Sequence, residues 1–225
     1  MNFSSYNPFI AVDQYISNLF FIFRDEKLIK FFLWITLFGK WEVVSIFFIS
    51  VVLILWLWGK RQYSIALWAS IAGSEFFVFL IKIIFGRFRP QSAFYIEQSF
   101  SFPSGHASIA VVLYGFLIYM ILKNIKNVAK KKAILNAGIL VILLIGFSRL
   151  YLGVHYFSDV IFGYLNGILW LALGVKFYKY LFEKNKFKDS HFISKNRKTT
   201  TILIIASAIF AYIIFVFFYN QILYK

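Results

Sequence analysis

Cysteine is absent from the 225 residues, which excludes a disulfide, a thiol nucleophile and a cysteine metal site. Acidic side chains are scarce, nine against 24 lysines and arginines, for a net charge of +15. Histidine occurs only three times. No internal repeat, low-complexity segment or β-barrel alternation is visible. Met1 to Tyr15 lack a basic start, a long apolar run and a small-residue cleavage site, so no signal peptide is expected.

What is abundant is apolar surface: 61% of residues are hydrophobic and 22% aromatic, with a mean hydropathy of +0.75. A soluble domain of this length has too little interior to hide so much, and an integral membrane protein is the natural class. In a soluble chain the positive charge would suggest nucleic acid. Here most lysines sit in short runs between apolar segments, so membrane topology and anionic headgroups explain it and no nucleic-acid partner is expected.

The clear spans run Val43–Leu57 with its flanks, Ser64 to about Phe85, Ala107–Leu122, Ala133–Tyr151, Val160 to about Phe182, and Thr201–Leu223. They are expected to be helices, because backbone groups cannot stay unpaired in lipid. The fold expected is an all-α polytopic transmembrane bundle. Residues 1–40 read as interfacial or partly inserted helices, 41–182 as a catalytic core, 183–200 as a basic cytoplasmic linker and 201–225 as an additional C-terminal span. Lys60-Arg61, Lys123 to Lys132 and Lys184 to Lys198 fall on one side if the spans alternate, and positive loops are cytoplasmic. Loops 86–104 and 152–158 then face outward.

Both chemistry-bearing clusters lie in those outward loops. Lys82 precedes Arg89 by seven residues, about two turns if the helix continues, and Pro90 follows as a helix stop. Lysine is a point charge and arginine a planar fork for phosphate oxygens; snorkelling to the interface is the plainer reading for Lys82 alone. Pro103-Ser104-Gly105-His106 opens the next span. Ser104 suits a helix cap, the free N–H groups behind it suit an anion, and Gly105 permits close approach. His106 has an ordinary pKa near ~6.5, fit for general acid work. Ser148-Arg149 ends one span; His155 and Asp159, four apart, flank the start of the next. A carboxylate on one imidazole nitrogen fixes the tautomer and raises the basicity of the other, which makes His155 a plausible nucleophile. A structural His–Asp cap is the competing reading. His106, His155 and Asp159 also form a conceivable zinc set, but Lys82, Arg89 and Arg149 repel a dication, so neither metal nor cofactor is expected. Glu75, seven residues before Lys82, reads equally as a structural residue or as a support to the site, paired with a polar group of the bundle or with a cation; His191 reads as solvated, and Phe76-Phe77 and Phe217-Phe218-Tyr219 as lipid-facing or packing stripes.

In this order, Lys82-x6-Arg89-Pro90, Pro103-Ser104-Gly105-His106 and Ser148-Arg149-x5-His155-x3-Asp159 resemble the three-part signature of the type 2 phosphatidic acid phosphatase (PAP2) superfamily, which also includes the vanadium haloperoxidases. The resemblance covers roughly residues 40 to 180. It implies a metal-independent membrane phosphatase for a lipid phosphate or diphosphate, in which Lys82, Arg89 and Arg149 bind phosphate oxygens with Ser104 and Gly105. His155 would attack phosphorus, Asp159 would orient it, and His106 would protonate the leaving oxygen. Two departures stand out: the usual first spanning helix is poorly formed before residue 40, and the helix at 201–223 is extra. Undecaprenyl diphosphate, phosphatidylglycerophosphate and phosphatidate are the candidate substrates, the first preferred because its recycling needs an outward-facing site. A bacterial plasma membrane with the site on its outer face is the expected location, and no obligatory protein partner is evident. A lipid phosphotransferase, or a lipid-binding or transport protein on the same scaffold, are the alternative functions.

Overall fold

Backbone N–H and C=O groups have no water to pair with in lipid, so apolar stretches of this length satisfy themselves as helices. A computed structural model of the protein describes residues 8–184 and 197–223. In chain order the helices are α1 (Pro8–Ile22), α2 (Glu26–Leu37), α3 (Trp41–Leu57), α4 (Arg61–Phe85), α5 (Gly105–Lys123), α6 (Val128–Tyr151), α7 (Phe157–Glu183) and α8 (Arg197–Leu223). Among the described residues no strand occurs. Helices α4 to α7, and Lys198–Val216 of α8, are each long and apolar enough to cross a membrane. The expected first span is different in form. Helix α3 alone is short, but α2 and α3 meet at a 41° bend and together have the length and composition of one broken span.

Helix α5 is the hub. Its residues Ala107 to Leu113 and Phe116 are all buried, and it packs against α4, α6 and α7. Between helices already in lipid, close van der Waals packing and polar contacts replace the hydrophobic drive. Gly163 and Gly167 of α7 supply the close approach. A Cβ on Gly163 would lie 2.5 Å from the Ser104 carbonyl oxygen, and one on Gly167 would lie 2.6 Å from Val111 Cβ. Deeper in the bundle, Ser74 and Ser108 share a 2.7 Å hydrogen bond, and Asn166 Nδ2 donates to Ser108 Oγ at 2.7 Å. Each such bond contributes roughly 0.6 kcal/mol in a membrane protein. Their combined effect is to lock α4, α5 and α7 in register.

The outer shell follows the apolar composition. Trp68, Ile84 and Leu203 are each at least 60% exposed, as side chains facing acyl chains should be, and Phe76 and Phe77 are exposed in the same manner. Helix α8 packs on α3, and its Val216 is buried with Leu37 and Val43. The basic end is set apart from the motif end. Lys123, at the close of α5, donates to the Tyr178 hydroxyl at 2.8 Å, beside the stacked Tyr63–Tyr178 pair. The motif residues lie at the opposite ends of the same helices, about 28 Å away for a 19-residue α5. His191, Lys186, Lys188 and Lys195 of the basic linker, and the side chains of Phe217-Phe218-Tyr219, lie outside the described residues.

Seating α7 against the start of α5 depends on a missing side chain. Gly163→Val should destabilise the protein by about 1–3 kcal/mol, the usual range for overpacking, read as a lower melting temperature in detergent. An unchanged melting temperature would mean that α7 does not rest on Ser104.

Candidate active site

Four helix ends meet at one face: the C-terminus of α4, the N-terminus of α5, the C-terminus of α6 and the N-terminus of α7. Helix α4 does not continue to Arg89. It stops at Phe85, where Gly86 adopts φ 53° and its N–H closes on the Lys82 carbonyl. A left-handed residue of this kind is easy for glycine and ends a helix without strain. The two-turn spacing of Lys82 and Arg89 is therefore not a helical register. Gly86, four residues before Pro90, is the stop, and Arg89 reaches the site from the loop. At the other cluster, Gly153 takes φ 67° and turns the chain from α6 into α7, so His155 lies just outside α7 rather than on it.

The cations converge. Arg149 is fully buried; its Nη1 donates to the Thr36 and Tyr95 hydroxyls, and its Nη2 pairs with Glu97. Arg89 Nη2 pairs with the other Glu97 oxygen at 2.7 Å, and Arg89 also donates to Ser99 O at 2.9 Å and Val154 O at 2.7 Å. Lys82 Nζ donates to the Phe100 carbonyl. Burial alone would push the Glu97 carboxyl up, but Arg149, His106, Arg89 and His155 outweigh it and hold it well below the ordinary carboxylate range. Burial lowers the pKa of Arg89.

His155 is buried, and its two nitrogens face different groups. Nε2 lies 3.1 Å from Arg89 Nη1. A guanidinium only donates, so the contact puts the lone pair on Nε2 and the proton on Nδ1. Nδ1 faces Asp159 Oδ2 at 3.4 Å, close but without a formed hydrogen bond. Burial first, then Arg89 and Arg149, drive the His155 pKa well below its ordinary value, so the ring is neutral. His106 is packed beside Gly39, whose Cβ, if present, would lie 2.9 Å from the imidazole; its Nε2 is buried without a hydrogen-bond partner. Ser104 caps α5, and its own N–H donates to the Asp159 carbonyl at 2.9 Å. That N–H is occupied, which leaves the Gly105 and His106 N–H groups as the first-turn backbone donors with no intrahelical acceptor. Glu75 has one buried oxygen without a hydrogen-bond partner and lies near Gly105.

All eight motif residues thus gather at one end of the bundle, and they bring companions that the sequence reading missed. Asp159 is fully buried and is held by three donors: Arg87 Nη1 at 2.7 Å, Ser101 Oγ at 2.5 Å and the Tyr156 N–H at 2.8 Å. Arg87 continues through Nη2 to Asp13 of α1 at 2.6 Å. Asp13 also accepts from the Ser158 N–H at 2.8 Å and the Ser158 hydroxyl at 2.6 Å. Asp13 and Thr36 come from the segment read as peripheral. The available signal was scarcity: with nine acidic residues in the chain, a carboxylate in an apolar helix is costly and marks a partner. Beside this network, Ile10, Phe77, Ile81, Phe85, Phe102 and Phe162 line an apolar cavity of about 640 Å³. It abuts Arg87 and Pro103 and does not include Arg89 or Arg149.

Comparison with known proteins gives consistent results. The PAP2 superfamily model matches residues 63–183, the stretch that holds all three motifs. The chain is 41% identical over 86 residues to phosphatidylglycerophosphatase B of Bacillus subtilis (strain 168); the match covers 37% of this chain and spans 42% of that relative's length. Its fold superposes with a TM-score of 0.72 on the crystal structure of the first transmembrane PAP2 type phosphatidylglycerolphosphate phosphatase from Bacillus subtilis, at 26% identity, over 79% of this chain and 89% of the other. The fold is also that of Aquifex aeolicus LpxE, with a TM-score of 0.59 at 22% identity, over 78% of this chain and 99% of that one.

Arg87 joins two buried carboxylates, and removing one partner of such a network leaves uncompensated charge. Arg87→Ala should cost about 3 kcal/mol or more, and Asp13→Asn distinctly less because Ser158 can still bond the amide oxygen. Equal melting temperatures for wild type and Arg87→Ala would refute the bridging role.

Proposed function

The chain belongs to the PAP2 superfamily, and from that membership we propose that it is a metal-independent phosphatase that removes the terminal phosphate of a membrane lipid. The observation that carries the proposal is the meeting of Arg89, Arg149 and Lys82 around the deprotonated Nε2 of His155. A phosphoryl group needs positioning and charge stabilisation more than covalent assistance, and a neutral imidazole among fixed cations supplies the nucleophile as well. In the proposed reaction, phosphate oxygens take the donors of Lys82, Arg89, Arg149 and the Gly105 N–H, with the Ser104 hydroxyl beside them. His155 Nε2 attacks phosphorus and forms a P–N bond as the lipid P–O bond breaks. His106 donates a proton to the departing oxygen, then accepts one from the water that cleaves the P–N bond. Asp159 stabilises the imidazolium through Nδ1–H, and Arg87 pairs with Asp159 and keeps it aimed. Repulsion from the same three cations supports chemistry without a bound dication.

Among substrates, the names of the relatives favour phosphatidylglycerophosphate, ahead of undecaprenyl diphosphate and phosphatidate. The apolar cavity next to Arg87 and Pro103 suits a lipid chain lying beside the site. The basic runs at the far end of the bundle support an outward-facing site on a bacterial-type plasma membrane.

Phosphate release from phosphatidylglycerophosphate by the detergent-solubilised protein tests this reading. Release should persist in EDTA and fall at least ~10³-fold in His155→Ala. Arg149→Lys should lose about 10²-fold, because lysine cannot replace a forked donor at a transition state. Loss of activity in EDTA that added metal restores would overturn the metal-free mechanism, and an active His155→Ala would overturn the nucleophile. Activity that requires a second lipid as acceptor would favour a phosphotransferase instead.

A further inference from the structure

The cations that would hold phosphate already have acceptors, and one short segment supplies acceptors to all three of them. Glu97 spans Arg89 and Arg149 with one oxygen each. Two residues on, the Ser99 carbonyl and hydroxyl accept from Arg89 at 2.9 and 3.0 Å, and the Phe100 carbonyl accepts from Lys82. Residues 97–100 therefore present a negative charge and a set of oxygens to the same three cations that a phosphoryl group needs. The electrostatic neighbours of Glu97 include both histidines, His106 and His155. The residue before it, Ile96, is 95% exposed, so the segment sits at the outer surface with no packing of that side chain to hold it down.

We propose that Glu97 is a specificity-determining residue, an internal carboxylate that occupies the phosphoryl pocket and that only a dianionic phosphate group displaces. This inference rests on the phosphate-site reading above. The physical argument is one of charge and acceptor number. A phosphodiester headgroup carries one negative charge and two free oxygens, which is what the Glu97 carboxylate already provides. Glu97 also has the advantage of being tethered, so its effective concentration is high. A diester gains nothing by exchange. A phosphate monoester or a terminal diphosphate brings a second charge and a third oxygen, and three cations reward both. The selection has a reason in the surroundings. The site lies at the end of a membrane bundle, where the phosphodiester headgroups of ordinary bilayer lipids would, without an internal competitor, fill a pocket built from two arginines and a lysine. The carboxylate also offsets the cost of holding fully buried Arg149 beside Arg89, since like charges in that setting are otherwise unfavourable.

The test measures binding, so that it is separate from turnover. Full-length protein in detergent is titrated with inorganic phosphate and with dimethyl phosphate, using wild type, Glu97→Gln and Glu97→Asp. Glutamine keeps the shape and removes the charge; aspartate keeps the charge and shortens the reach. Wild type should bind phosphate and give no measurable binding of dimethyl phosphate. Glu97→Gln should bind phosphate about tenfold more tightly, because the competing carboxylate is gone, and should bind dimethyl phosphate measurably. Glu97→Asp should fall between the two. Unchanged preference for phosphate over dimethyl phosphate in Glu97→Gln would overturn the proposal. Weaker phosphate binding in both variants would also overturn it, because Glu97 would then serve to hold the arginines in place. Failure of all three proteins to bind phosphate would instead refute the phosphate site itself.

Discussion

Burying Arg149 is the constraint on which the rest of this structure depends. A fully buried guanidinium at the end of a membrane helix is tolerated only when most of its donors are filled and its charge is balanced. Two parts of the chain meet that need at Nη1 and Nη2: Thr36 from α2, and Tyr95 and Glu97 from the loop between α4 and α5. The loop is thereby pinned to α6, and α2 is drawn over the end of α6. Arg89 is carried by the same loop and is tied to the same carboxylate, so placing one arginine places the other.

A second network does for the histidine what Glu97 does for the arginines. Asp159 faces His155 but takes its three hydrogen bonds from Arg87, Ser101 and the Tyr156 backbone. Those donors give a buried carboxylate its partners, and they fix its direction before any ligand arrives. Arg87 then passes the connection to Asp13 and Ser158, so that α1 is fastened to the start of α7. The segment that precedes the first long helix is thus a structural support for the site. Its short apolar helices gain their place from polar bonds to the core.

The packing beneath is built to hold these networks in register. Gly163 lets α7 touch the backbone at Ser104, and the Ser104 N–H meets the Asp159 carbonyl. The turn at Ser104 and the turn that carries Asp159 are therefore one bonded unit. Ser74, Ser108 and Asn166 repeat the same joining about one to two turns deeper.

Much of this was legible in the chain itself. Apolar length set the helices, because lipid offers the backbone no other partner. The order of Lys82, Arg89, Ser104, Gly105, His106, Arg149, His155 and Asp159, with runs of lysine in the opposite loops, placed the site at one end of the bundle. Other features were beyond the reach of spacing. The end of α4 at Gly86 hid behind the nearer proline. The bend between α2 and α3 falls where the chain passes from packing on α6 to packing on α8. The roles of Asp13, Thr36, Arg87 and Glu97 could not be read from the chain, because each depends on a partner at least 50 residues away. By itself, then, the sequence determined the class of fold and the family, since those follow from local composition and short motifs. Only the tertiary structure decided which charges neutralise which, because electrostatic pairing depends on distance in space, and the loops that carry Arg87, Arg89 and Glu97 have no periodicity from which that distance could be calculated.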